Sequence, residues 1–158
     1  MGLGLILGLA FVYAGLNKFL DPTEFAEVII SYQLLPPKLI GMVAAGLPLL
    51  EAGAGTLLAL GCLFLPVNWR RSQTGTPEPS WSATWRRVAL AVILLQLALF
   101  ILILLLTMAR GLEISCGCGL VGDRPVGWAA VGEDLVLLGL ASWLYQREWR
   151  HLILRNGG

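Results

Sequence analysis

Charge is scarce in this chain: 13% of its 158 residues are Asp, Glu, Lys or Arg, against about 25% in soluble domains. Histidine occurs once and cysteine three times. The formal net charge of +1 comes without the clustered basic surface that a phosphate backbone needs, which argues against a nucleic-acid partner. Internal repeats are absent, as is any sign of a second domain. Met1 to Leu16 has neither a basic leading region nor a small-residue cleavage site, so this stretch is expected to stay and span rather than be removed as a signal peptide. What the chain has is apolar length. At 57% hydrophobic residues and a mean hydropathy of +0.77 it reads as a membrane protein in a single integral domain over residues 1–158.

Four apolar stretches approach the roughly 20 residues that a span requires. They cover about 1–20, 39–67, 88–109 and 128–149. The second contains Pro48 and several glycines and is long enough to tilt or break. The third has one amide, Gln96, and no charge; the fourth is interrupted by Glu133 and Asp134. Between the first two, Asp21-Pro22-Thr23-Glu24 has the order of a helix start, with Asp at the cap and Pro at the first helical position. Phe25, Val28, Ile29 and Tyr32 then share one face, which predicts a short interfacial helix ended by Leu35-Pro36-Pro37. The stretch over 68–87, rich in Ser, Thr, Gly and Pro, is expected to be a mobile cytoplasmic connection. The fold class that follows is all-α: a polytopic bundle of four transmembrane helices with a short interfacial helix after the first span.

Orientation follows from Lys and Arg. The side holding the N-terminus, the second connection and the C-terminus carries Arg70, Arg71, Arg86, Arg87, Arg147, Arg150 and Arg155. The other side carries only Lys18, Lys38, Arg110 and Arg124. The positive-inside rule makes the first side cytoplasmic. Cys116-Gly117-Cys118 then faces the periplasm or exterior of a bacterial cytoplasmic (inner) membrane, a compartment that allows disulfides.

That pair of thiols is the most reactive chemistry in view. Residues i and i+2 can bring their Cα atoms within the roughly 4.4–6.8 Å a disulfide needs when the backbone bends, and Gly117 and Gly119 permit the bend. A ring that small is strained, and strain makes a disulfide labile and suited to exchange. A static disulfide, a pair of inert thiols and half of a metal site are the other readings. Zinc takes roughly four ligands, and the one histidine, His151, lies on the opposite side, so no metal is assigned. Cys62 lies eleven residues beyond Glu51, about 16 Å along a helix, and reads as small buried filler.

Glu51 is the strongest signal inside the membrane, because a carboxylate near the bilayer centre costs about 2.5–3.5 kcal/mol on insertion scales and is seldom left there unpaired. It shares a helical face with the small residues Ala44, Pro48, Ala52, Gly55 and Ala59, so it is expected to point into the bundle, toward Gln96, Tyr13 or Asn17. One reading is a hydrogen-bonded Glu that fixes register; the other is a proton carrier or quinone contact. Asp134, with Glu133 beside it, stands near the outer end of the fourth span; it is, with Glu51, a candidate for proton transfer, from a thiol for example, or for quinone contact, and the other reading is an acid that favours a helix start. The six tryptophans fall mostly near span ends, as an aromatic belt should.

Phe11-Val12-Tyr13-Ala14-Gly15-Leu16-Asn17-Lys18-Phe19, then Asp21-Pro22, Phe25, Tyr32 and Leu34-Leu35-Pro36, resemble the opening of DoxX-like membrane proteins. Leu47-Pro48-Leu49-Leu50-Glu51 with Gly55, and Arg110-Gly111 leading to Cys116-Gly117-Cys118-Gly119, are similar to the methylamine utilisation MauE branch. The resemblance implies an inner-membrane protein of four spans that works in thiol redox with a thioredoxin-like partner and in disulfide formation in the small subunit of methylamine dehydrogenase. It also implies Cys116 and Cys118 as the redox pair and Glu51 as the family's buried carboxylate. The expected function is a membrane thiol-disulfide redox protein that exchanges electrons with a periplasmic thioredoxin-like protein or disulfide client, with quinone as the acceptor or donor in the membrane. A different class is a non-enzymatic membrane scaffold or assembly subunit with structural cysteines, and a third is a metal-handling protein.

Overall fold

Five helices follow one another in the computed structural model: α1 (Gly2–Leu20), α2 (Pro22–Ser31), α3 (Pro37–Ser72), α4 (Ser80–Ala109) and α5 (Trp128–Asn156). The structure describes the backbone at residues 2–72, 80–111 and 127–156, and side chains at 2–63, 84–111 and 127–150 of these. Among the described residues there is no strand, as the all-α expectation requires. Cys116 and Cys118 lie outside them.

Three segments, Gly2–Leu20, Pro37–Leu63 and Thr84–Ala109, are long and apolar enough to cross a membrane. The chain is a multi-pass membrane protein. The expected fourth span is helical throughout as part of α5, yet it does not reach the hydropathy of the other three, so the count of four is not supported on composition. The cause lies in its polar residues, which are turned to specific partners or environments inside the protein. Asp134 is 6% exposed, and Glu148 meets Arg86 of α4 at 2.8 Å. Helical backbone also extends further than expected into the second connection, to Ser72 on one side and from Ser80 on the other, where no Gly or Pro interrupts Ser80–Ala109. Residues 73–79 lie outside the described part.

α1 and α3 make the most extensive helix pair. Small residues allow it: a methyl group built on Gly15 would stand 2.7 Å from the Ala52 amide nitrogen and the Pro48 carbonyl oxygen, and one on Gly55 would stand 2.6 Å from the Gly8 carbonyl oxygen. The two backbones therefore touch, as at other small-residue crossings in membranes. Pro48 lies inside this contact, fully buried, and the helix continues through it. One core cluster takes Leu7 and Phe11 from α1, Ala54 and Leu58 from α3, Ala89, Leu90, Ile93 and Leu97 from α4, and Ala141 from α5. The outward faces are just as apolar, with Leu49, Leu95 and Leu102 more than half exposed. A helix apolar all round suits a lipid solvent.

The predicted interfacial helix is α2. Asp21 caps it, its Oδ1 accepting from the Glu24 amide at 3.0 Å and from the Thr23 hydroxyl at 2.7 Å, with Pro22 in the first turn. Phe25 and Ile29 bury against Ala44 of α3, so the helix lies on α1 and α3. It ends at Ser31, ahead of the expected Leu35-Pro36-Pro37 stop, with Tyr32 as its cap and Gln33 next, whose φ of 52° is the left-handed turn that commonly stops a helix. Those two hydrogen bonds hold the Asp21 carboxyl below its ordinary range. A lowered carboxyl stabilises the fold above its unfolded pKa and loses that contribution as pH falls through the lowered one. The first turn of α2 is thus expected to stay closed above about pH 4 and to loosen in stronger acid. Asp21→Asn, which keeps an acceptor that does not titrate, should abolish that acid loosening; hydrogen exchange at the Glu24 amide reads the difference.

Candidate functional site

Lys18 ends a stripe of buried positions on α1: Leu7, Phe11, Ala14 and Lys18 recur at the spacing of one helix face. On α3 the corresponding face carries Ala44, Pro48, Glu51, Gly55 and Ala59, all buried. Where the two faces meet, Lys18 Nζ donates to both carboxylate oxygens of Glu51 at 2.7 Å each. The two side chains are 5% and 3% exposed. Phe25 of α2 and Phe100 of α4 flank the ammonium, their ring centres 5.5 and 5.0 Å away. Each aromatic face adds attraction for the cation, of order 0.5–2 kcal/mol when water is excluded. The pair is electrically neutral as a unit, which is how two charges can remain at this depth.

The expected partners of Glu51 are therefore corrected. Tyr13 is 55% exposed and points away. Gln96 is buried, but its Nε2 and Oε1 have no hydrogen-bond partner among the described residues. Asn17 is half-buried on α1 and has an interaction of its own. Sequence reasoning missed Lys18 because a basic residue at a helix end is ordinarily assigned to the headgroups. The signal that would have found it is the 7, 11, 14, 18 register, which places Lys18 on the face that packs.

Asp134 and Glu133, indistinguishable by sequence, separate in the structure. Glu133 is exposed. Asp134 is buried, close enough to Lys18 and Glu51 to feel both charges, and its Oδ2 has no hydrogen-bond partner among the described residues. A buried carboxylate oxygen without a partner is rare in folded proteins and calls for an explanation.

Lys18, Glu51 and Asp134 share the wall of a cavity of about 390 Å³ with Tyr32, Phe25 and Phe100. Apart from Phe11, the remaining wall is aliphatic. Because α2 packs on α1 and α3 and makes no comparable contact with α4, the cavity lies open between α2 and α4. Leu99, Leu102 and Leu106 of α4 line it while also facing outward. One strap crosses its end: Arg110 Nη1 donates to the Tyr32 carbonyl oxygen at 3.1 Å. Burial, and then the negative field of Asp134, push the Tyr32 phenol up to about 12, so it stays protonated, and able to donate, at any ordinary pH.

At the other end of the helices, Cys62 packs on the core cluster and faces Gly4, consistent in position with small buried filler. The stem of Arg86 lies against Gly61. Among the described residues no three His, Cys, Asp or Glu side chains converge to hold a metal ion.

The segment that carries Cys116 and Cys118 leaves the described structure at Gly111, next to the Arg110 strap, and returns at Gly127, two turns before Asp134. The comparisons with known proteins cover this whole arrangement. The family model for "Methylamine utilisation protein MauE" matches residues 1–69 and 80–147, a range that includes Lys18, Glu51, Cys116, Cys118 and Asp134. A curated relative, "Methylamine utilization protein MauE" of Paracoccus denitrificans, is 32% identical over 140 residues, covering 88% of this chain and 64% of its own length. The chain thus spans just under two thirds of the curated relative it matches. No solved structure matches. With the family pattern running across nearly all of its described helices, this chain belongs to the MauE family.

Proposed function

We propose that this chain is a membrane thiol-disulfide redox component of methylamine utilisation, whose Cys116–Cys118 pair exchanges with the cysteine pair of a periplasmic thioredoxin-like protein or disulfide client. In this reading it sits in a bacterial cytoplasmic membrane with four crossings, α5 being the last, and its C-terminus is cytoplasmic. The observation that carries the proposal is the position of the cavity. A membrane-facing chamber with a clamped Lys18–Glu51 pair and a further buried carboxylate, Asp134, lies at the helix ends from which the cysteine segment departs and to which it returns. The family assignment supports the same reading.

In the exchange, a thiolate of one protein attacks a sulfur of the other's disulfide, forming a mixed disulfide and releasing the second sulfur as a thiolate. The remaining thiolate then resolves the mixed disulfide. One disulfide opens as the other closes, so two electrons and two protons pass between the partners. Cys118→Ser leaves Cys116 unable to be resolved within the chain, and cells carrying it should accumulate an adduct on Cys116 that reducing agent releases and mass spectrometry identifies. If neither Cys118→Ser nor Cys116→Ser traps any partner, while the protein is present and its partner complex still assembles, the exchange is wrong and a scaffold role with structural cysteines takes its place. The same cells test sidedness, since a membrane-impermeant thiol reagent should reach Cys116 from outside.

A further inference from the structure

We propose that the cavity between α2 and α4 is a membrane-facing site for a lipid-soluble quinone and its hydroquinone, and that Asp134 is the side chain that meets the ring oxygen. The inference rests on the thiol redox reading for its purpose, and on the cavity for its chemistry. Closing a disulfide between Cys116 and Cys118 releases two electrons and two protons; a quinone takes up both pairs and becomes the hydroquinone, so the balance closes with no further reactant.

Three observations select this ligand class. The chamber opens sideways, between α2 and α4 and past the outward-facing Leu99, Leu102 and Leu106, so a ligand arrives from the lipid. Its lining is aliphatic and aromatic with few polar groups, as ring-binding pockets are. Its titratable groups are one base, Lys18, already held by Glu51, and a second acid, Asp134, so the lining offers no spare cation to a fatty acid or another anionic amphiphile. Within that lining Glu51 is committed: both of its oxygens hold Lys18. Asp134 is not, since Oδ2 is buried, on the cavity wall and without a hydrogen-bond partner among the described residues. A hydroquinone hydroxyl would satisfy it. Of the two carboxylates that the sequence offers for this contact, Glu51 and Asp134, the polar contact therefore falls to Asp134, and the Lys18–Glu51 pair becomes the fixed back wall.

Photolabelling tests this with full-length protein in phosphatidylcholine nanodiscs, an azido-ubiquinone as probe and decylubiquinone as competitor, the labelled peptides being mapped by mass spectrometry. Label is expected in α2 around Phe25–Tyr32 and in α4 around Leu99–Leu106, and decylubiquinone should displace it while oleate does not. Asp134→Leu should weaken competition by the reduced form, decylubiquinol, about tenfold or more, because its hydroxyl donates the hydrogen bond that the carboxylate accepts, whereas Glu133→Gln should not change it. Leu102→Trp alters a lipid-exposed position at the mouth, so folding is spared, and it should block labelling; Leu95→Trp, more exposed still but off the cavity, should not. Labelling that ignores Leu102→Trp, decylubiquinol competition that ignores Asp134→Leu, or label that oleate displaces as well as decylubiquinone does, overturns the proposal in favour of a general lipid pocket. Cys116→Ser/Cys118→Ser protein separates the two readings, because binding does not need the thiols. A trapped partner without quinone binding defeats only the quinone site, and quinone binding without a trapped partner defeats only the exchange.

Discussion

Glu51→Ala is expected to destabilise the protein by about 3–5 kcal/mol, the loss typical of a buried ion pair from which one partner is removed. The Lys18 ammonium then stays buried, between the rings of Phe25 and Phe100, with nothing to neutralise it. Lys18 also lies within reach of the field of Asp134, so part of the loss can be recovered if the ammonium swings across the cavity to that carboxylate. The double variant Lys18→Met/Glu51→Leu removes both charges and should recover most of the stability, since apolar replacements of similar volume often match or exceed a buried pair. Unfolding in mixed micelles, measured for wild type, both single variants and the double variant, gives the coupling energy directly. A coupling near zero would show that the two side chains do not meet.

The second large effect belongs to a residue with no side chain. Gly15→Leu drives a branched side chain into the Ala52 amide and the Pro48 carbonyl, backbone atoms that cannot rotate aside. α1 and α3 must separate, at a cost at or above the roughly 1–3 kcal/mol of ordinary overpacking. Lys18 is the next residue of that face and Glu51 stands three residues past Pro48, so the separation also pulls the ion pair apart. Loss of the folded state, rather than a modest shift, is the expected outcome. Gly53→Leu is the control: nothing lies within 4 Å of a Cβ added there, and better helix propensity should leave stability unchanged or raise it by up to about 1 kcal/mol. Expression and unfolding midpoints of the two variants, compared in the same detergent, decide the matter. Equal behaviour would contradict the close crossing of α1 and α3.

How much of this was legible in the sequence depended on whether the cause was local. α2 was, because Asp21-Pro22-Thr23-Glu24 states a helix start within four residues and the face holding Phe25 and Ile29 is the one that packs. The buried Glu51 was too, because small residues surround it at helical spacing. Its partner was not. Lys18 is 33 residues away, and a pairing across that separation follows from how two faces register rather than from either segment alone. Composition leaves the fourth crossing unsupported for a related reason: hydropathy averages over a window and counts Asp134 and Glu148 as polar, whereas the fold turns one into a cavity and the other onto Arg86. The reverse ambiguity, Asp134 against Glu133, needed the helix rotation that only α4 and α1 impose. Cys116 and Cys118 fall outside the described residues, and their role rests on sequence and family.

The distance between Lys18 and Glu51 along the chain also bears on how the protein is made. During synthesis α1 emerges first, and while it waits the long stem of Lys18 lets its ammonium reach toward the headgroups from the last turn of the helix. Glu51 has no such refuge: fourteen residues into α3, it is about 21 Å from that helix's start. In its ionised form Glu51 therefore enters lipid at low cost only beside a cation that is already there. The first helix serves as the counter-charge that admits the second, and the order of translation becomes the order of assembly.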